Sequence, residues 1–262
     1  MIVNTHRLFT TLLSRMQISA VCDVGSMNGA DALNFSAAAP QSSVYAFEPH
    51  PVNFRLMEDN RALKERNIQL VPLAVSNYDG EAEFFLVEAD YSHRDARRGM
   101  SSLHRRSGEW ASTGVLRVKT TRLDTFLAEK FPPGGRLALW IDTEGAAYEV
   151  IEGVSGVAEH VHLLHVEVET SPCIGSNQKL YPQVKALLRR LGFTELATDQ
   201  APSRTQFNAL FVKFGASAGQ RLRMAALLGR ARLRYLMVRA IVRLFPACAR
   251  RYLAWRLKAP SA

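Results

Sequence analysis

The stretch Ile18-Ser-Ala-Val-Cys-Asp23-Val-Gly25-Ser-Met-Asn-Gly29 constrains the fold more than any other part of the chain. A short β-favouring run ends in a glycine and opens into residues 30–39, which read as a helix. Glycine at a strand end lets the backbone turn tightly and lets a ligand approach closely. The helix that follows offers free N–H groups. The spacing is Asp-x-Gly-x-x-x-Gly, not the Gly-x-Gly-x-x-Gly that cradles a pyrophosphate, which argues against a dinucleotide-binding dehydrogenase.

The alternation continues along the body. Residues 19–24, 43–47, 68–74, 136–142 and 161–168 read as strands, and 30–39, 52–66, 146–152 and 179–191 as helices. Residues 192–197 and 206–214, separated by a polar Asp199-Gln-Ala-Pro-Ser turn, read as a closing antiparallel pair. This pattern predicts an α/β fold: a Rossmann-like, doubly wound, mostly parallel seven-stranded sheet with an antiparallel edge pair. A first amphipathic helix precedes it. Residues 81–87 and 115–121 read as further strands flanking a long insert, 88–114.

Successive strand ends carry a consistent chemistry. The second ends in Tyr45-Ala-Phe-Glu48-Pro49, and an acid there, 25 positions after Asp23, can accept hydrogen bonds from both hydroxyls of a ribose. The third ends in Leu73-Ala74-Val75-Ser76, small residues against which an adenine can lie flat. The fourth ends in Asp142-Thr-Glu144-Gly145. S-adenosylmethionine, a nucleoside with a sulfonium and an amino-acid moiety but no phosphate, suits such a set. The candidate cofactor residues are Asp23, Gly25, Ser26, Asn28, Gly29, Glu48, Pro49, Ala74, Val75 and Asp142. Any one of these is weak alone, because strand-end acids often only cap helices. Four in order converge where a doubly wound sheet binds its ligand.

Asp23-Val-Gly25 with Asn28-Gly29, Tyr45-Ala-Phe-Glu48-Pro49, Leu73-Ala-Val-Ser76, Ser101-Ser-Leu103, Thr121-Arg-Leu-Asp124, Asp142-Thr-Glu144-Gly145, Gly153 and the strand bearing Glu167 together resemble the FkbM-type methyltransferases. These are a branch of the class I S-adenosylmethionine-dependent fold, and the likeness spans about residues 18–213. It implies methyl transfer to oxygen, commonly on a sugar or polyketide-like hydroxyl. Two positions depart from the family pattern: Ser26-Met27 stands where Ala-Asn is usual, and Ala147 replaces an acid common after the Glu-Gly pair.

Methyl transfer is an in-line displacement, so positioning supplies much of the rate, and an alcohol acceptor also gains from a general base. The catalytic candidates are Asp142, Glu144, His165 and Glu167. On the fifth strand His165, Glu167 and Glu169 share one face, an acid row unexpected of core. His165 is either a hydrogen-bonded sheet histidine or a catalytic one. The resemblance places the family's strand-five glutamate at Glu167. Asp142 with Glu144 or Glu167 could bind a divalent cation, but no spacing compels it and no metal is assigned. His50 reads as a loop residue beside the adenosine pocket.

The insert holds Arg94, Arg97, Arg98, Arg105 and Arg106 with His93, His104 and Trp110. A charged loop is usually only solvated; the functional alternative is a lid over the acceptor, with Ser101, Ser102, Arg105 and Arg106 as substrate residues. The net charge of +9 is confined to the other end. Residues 215–262 hold eleven Lys and Arg and no acid, whereas residues 1–214 carry 22 basic against 24 acidic groups. The chain thus divides into a methyltransferase domain at 1–214 and a basic tail at 215–262. In the tail, 220–245 and 247–258 read as basic amphipathic helices that suit an anionic membrane surface, a packed helical pair, a dimer contact or, by the same charge, nucleic acid.

Three scattered cysteines, Cys22, Cys173 and Cys248, argue against a disulfide framework, and no run of 18 apolar residues occurs. The expected setting is cytoplasmic, with peripheral attachment to the inner face of the membrane as an extension. The leading expectation is an O-methyltransferase acting on a small-molecule, glycan or lipid-linked acceptor. The rivals are a non-catalytic cofactor-binding protein recruited to membranes and a nucleic-acid methyltransferase. The latter is weakened by Asp142-Thr-Glu-Gly where that class shows Asn/Asp-Pro-Pro-aromatic.

Overall fold

A computed structural model describes residues 4–87, 96–108, 111–128, 130–131, 134–201 and 204–213, together with Gly229. The chain divides into two compact units, Met1–Lys213 and Phe214–Ala262. The expected basic helices of the second unit lie outside the described residues, as do residues 88–95 of the insert.

After helix α1 (Thr5–Leu13), strand β1 (Ala20–Val24) leads into α2 (Ala30–Ala38) and β2 (Ser43–Phe47) into α3 (Pro51–Asp59) and α4 (Arg61–Glu65). Then come β3 (Gln69–Val71), β4 (Ala74–Val75), β5 (Gly80–Leu86), β6 (Gly114–Thr121), α5 (Leu123–Leu127), β7 (Leu137–Ile141) and α6 (Ala147–Glu152). The chain closes with β8 (Val161–Glu169), α7 (Tyr181–Arg190), β9 (Thr194–Thr198) and β10 (Gln206–Val212). Seven strands form one sheet in the order β3-β2-β1-β7-β8-β10-β9. The first five are parallel, and β10 runs antiparallel to both β8 and β9. The order reverses between β1 and β7, and that switch point is where ligands bind in such sheets.

The expected doubly wound sheet with its antiparallel edge is therefore present, with two differences. The run 68–74 is not one strand. Pro72 has no N–H to give the ladder, so β3 stops at Val71 and the chain crosses into a second, three-stranded sheet, β4-β6-β5. The helix expected over 52–66 breaks at Asn60, whose extended backbone (φ −76°, ψ 108°) ends α3 and whose side chain caps α4 through Ala62 N at 3.0 Å.

β1 and β7 are buried along their whole length, as strands covered on both faces must be. Leu137, Leu139 and Ile141 face the cluster built with α5, α6 and α7. The alternate positions face α1 and α2, where Phe9, Phe35 and Trp140 pack with ring centroids 5.1–5.2 Å apart. Asp142 continues the Trp140 face beyond the strand end. Gly153 ends α6 against the chain after β4: a Cβ there would lie 2.1 Å from the Ser76 carbonyl, and its own carbonyl accepts from Asp124 N at 3.0 Å.

Candidate active site

The β1 turn is built for contact with the next strand. Gly25 has φ +85°, and a Cβ on it would lie 1.8 Å from the Asp142 carbonyl oxygen. The close approach that demands glycine here is thus made by the end of β7. Gly29 (φ +77°) caps α2 and packs on Leu63, while Asn28 accepts from Ala30 N at 3.0 Å. Asp23 lies below the turn, 1% exposed, and accepts from Ser26 Oγ at 2.6 Å. Burial pushes its carboxyl up to about 7 against the pull of the Ser26 bond.

Glu48 ties this turn to the second strand end. One carboxylate oxygen accepts from Met27 N at 2.7 Å and the other from His50 N at 2.8 Å. Burial raises it to about 7, opposed by those two backbone bonds and by Asn53. His50 is the N-cap of α3, accepting from Val52 N at 3.2 Å. Between these groups lies a cavity of about 50 Å³ lined by Gly25, Glu48, Pro49, Ala74, Val75 and Asp142. Its remaining walls include Val24, Met27, Phe47, Leu73, Phe84, Arg98, Gly99, Ser101 and Leu103.

Of the cofactor residues expected from sequence, Asp23, Ser26, Asn28 and Gly29 shape the turn without lining this cavity. Phe84 and Gly99 carried no sequence signal, and Arg98 and Leu103 were visible only as part of the insert; all four reach the cavity through the second sheet and the insert. Residues Ala96–Met100 form a 3-10 turn against it. The donor set fits S-adenosylmethionine: a carboxylate at β2 for ribose, an apolar slot between Ala74-Val75 and Phe84-Leu103 for a flat base, and Asp142 after β7 for the cationic end.

Beyond β7 and β8 the acids gather. Asp142, Glu144 and Glu167 each bring a carboxylate oxygen within 4.8 Å of the other two, close enough to share one cation. Their charge is already balanced in other ways. Arg106 forms an ion pair with Glu144 and donates from Nε to the Met100 carbonyl at 2.9 Å. Burial raises both Glu167 and Asp142 above the ordinary carboxylate range, with neighbouring carboxylates adding to the rise at Glu167, so the pair shares a proton. Glu169, 2% exposed, accepts from Gln178 at 2.5 Å, and Gln206 donates to Glu167 at 2.9 Å. Glu144 occupies left-handed backbone (φ 50°), as does Met27 (φ 52°) in the facing turn, conformations that cost free energy and collect at sites.

His165 stacks on Trp140 with centroids 3.5 Å apart and planes 1° from parallel. It is 1% exposed, and burial drives it down to about 3, so the ring is neutral. Its Nε2 meets Thr5 Oγ1 at 3.1 Å. In the insert, Ser101 Oγ accepts from Val87 N at 3.1 Å and Ser102 Oγ donates to the Glu144 carbonyl at 2.6 Å. Arg105 is exposed over the Phe85 ring at 5.0 Å. Both serines and Arg106 therefore fasten the insert to the strand ends, and only Arg105 among the four expected substrate residues projects outward.

The sequence profile of the methyltransferase FkbM domain matches residues 23–195. The methyltransferase sdnD of Sordaria araneosa is 28% identical over 205 residues, covering 69% of this chain and 75% of that protein. Among solved structures, magnesium protoporphyrin IX methyltransferase (ChlM) of Synechocystis PCC 6803 with bound SAM is 12% identical. It covers 80% of this chain and 78% of its own, with a TM-score of 0.43. A putative rRNA-methylase of Clostridium thermocellum is 10% identical over 81% of this chain and 95% of its own, with a TM-score of 0.46. With two thirds of its length matched by the domain profile, the chain belongs to the FkbM methyltransferase family and is an S-adenosylmethionine-dependent methyltransferase.

Proposed function

We propose that this enzyme methylates a hydroxyl of a small acceptor, a free or lipid-linked glycan or a natural-product-like molecule. The observation that carries this reading is the Asp142–Glu167 carboxyl pair at the ends of β7 and β8. An alcohol is a weak nucleophile at neutral pH and gains about 10²–10⁴ in rate from a base within hydrogen-bond reach. With one proton shared between Asp142 and Glu167, Asp142 would keep a lone pair to take the acceptor's proton. Arg106 neutralises Glu144 beside them.

Bound S-adenosylmethionine supplies a methyl carbon already activated by its sulfonium. Glu48 would hold the ribose, Ala74 and Val75 the adenine, and the Gly25 turn the amino-acid end, so that the chain's own part is orientation and proton removal. His165, buried and neutral against Trp140, would hold the floor of a neighbouring cleft rather than the reacting carboxyls. The eleven basic groups of residues 215–262 would hold the enzyme at an anionic membrane surface, which suits a lipid-linked acceptor.

The test is transfer of labelled methyl to a hydroxylated metabolite and glycolipid extract, followed by mild alkali. Label retained as an alkali-stable ether is expected. Label released as methanol, or recovered on nucleic acid, overturns the reading.

A further inference from the structure

Asp142 lines two concavities. The first is the cofactor cavity; the second is a cleft of about 660 Å³ between the start of α1, the ends of β7 and β8, and the β9–β10 turn. That volume is typical of sites for small molecules and exceeds one sugar ring. The Asp142–Glu167 pair is half-buried in it, and the exposed Arg204 stands at its edge. The insert, by contrast, gives Arg98, Gly99 and Ser101 to the cofactor cavity and spends Arg106 on Glu144. Among the described residues, the insert lines the cofactor cavity and contributes nothing to the cleft.

Polar groups run from this cleft's edge to the sheet. Asp199 accepts from Asn208 N at 2.6 Å and Asn208 Nδ2 at 3.0 Å, and from Thr5 Oγ1 at 3.4 Å. Because the Thr5 hydroxyl spends its proton on Asp199, it must accept from His165 Nε2. Asp199 is thereby fixed, with its charge satisfied locally. Arg204 has no ion-pair partner among the described residues.

We propose that this cleft is the acceptor site, and that Arg204 selects a polyhydroxylated acceptor carrying a carboxylate or phosphate beside the hydroxyl that meets Asp142. This rests on the O-methyl reading above. An Arg guanidinium recognises either anion by paired hydrogen bonds. The cleft's fixed amide and carboxylate edges meet the neutral hydroxyls.

The test is calorimetric titration of the full-length protein, saturated with S-adenosylhomocysteine, by methyl β-D-glucuronide and by methyl β-D-glucoside. These differ only in the carboxylate. The glucuronide should bind about fivefold tighter, the size expected of one partly solvated charge pair. Arg204→Gln should erase the preference without changing S-adenosylhomocysteine affinity, and Arg105→Gln should leave it intact. Equal binding, no binding of either glycoside, or a preference that survives Arg204→Gln overturns the proposal. The readout is independent of the methylated atom. An alkali-labile product with the preference intact would remove only the O-methyl reading, and an alkali-stable product with no preference only the acceptor site.

Discussion

The two concavities that meet at Asp142 are made in opposite ways. The cofactor cavity is small and roofed, about 50 Å³, with Val24, Phe47, Leu73, Val75, Phe84 and Leu103 as apolar walls and acids at its ends. The cleft is about 660 Å³, open and mostly polar. A cofactor that is always the same can be enclosed by fitted walls, whereas an acceptor that enters and leaves is met by an open polar surface. Among the described residues the insert lines the cofactor half through Arg98, Gly99, Ser101 and Leu103, while the lid expected over the acceptor falls partly on residues 88–95, outside them.

If these are halves of one site, the side chain they share should matter most to turnover. Asp142→Asn keeps the shape and removes the base, and kcat should fall by about 10²–10⁴. Dissociation of S-adenosylhomocysteine should change by less than about tenfold, one hydrogen bond's worth. Single-turnover kinetics beside calorimetry measures both; an equal loss in each would mean that Asp142 serves only the cofactor. Gly25→Ala strikes the partition from the backbone side. The new Cβ falls 1.8 Å from the Asp142 carbonyl at φ +85°, so β7's end must shift as well as the turn. A left-handed alanine alone costs about 1–2 kcal/mol, and with the displacement the melting temperature should drop by at least about 4 °C. An unchanged melting temperature would show that the strand ends are loosely joined.

How far the sequence carried differs between the halves in the same way. Strand ends of a parallel sheet are local in sequence, so Gly25, Glu48 and Asp142 could be placed from short patterns, whereas Ala74-Val75, expected at the third strand's end, forms β4 of the second sheet. The roof was not legible. Phe84 belongs to a second sheet, begun where Pro72 ends β3, and Leu103 packs against it from the insert; residue patterns do not say where a diverted chain will land. Arg106 looked like an anion-binding lid residue because its partner Glu144, 38 positions away, is near it only after folding. The acid row His165, Glu167 and Glu169 was visible as a period of two. What was not visible was that α1 and the β9–β10 turn stand over it, since neither carries a motif.

The pH dependence of cofactor binding sharpens the contrast further. Burial raises Glu48 to about 7 in the free cavity, with the Met27 and His50 amides opposing it. Ribose hydroxyls donate to the ionised carboxylate, so binding lowers that pKa and releases a proton. Affinity for S-adenosylhomocysteine should therefore be fully developed above pH 7 and weaken below it, by up to about tenfold per unit for one proton. Glu48→Gln should flatten that slope while leaving glucuronide binding in the cleft unchanged. Asp23, also raised to about 7, accounts for any slope that remains. A Glu48→Gln profile as steep as the parent's would assign the whole effect to Asp23.

The smallest expected effect tests whether the cleft has internal order. Thr5 receives the His165 proton and passes its own to Asp199, so one hydroxyl joins α1, the sheet and the β9–β10 turn. Thr5→Val keeps the volume and cuts both bonds. His165 is fully buried, its Nδ1 has no partner, and the change would strand its Nε2 as well. Leaving one buried donor unmet costs about 1–3 kcal/mol. The loss should appear as a melting temperature lowered by a few degrees and a raised acceptor KM. Kcat and cofactor affinity should stay close to the parent's, because neither Asp142 nor the Gly25 turn is touched. If kcat falls and KM holds, the histidine reaches the chemistry through Trp140 and the carboxyl pair, and the two halves are less separable than their walls suggest.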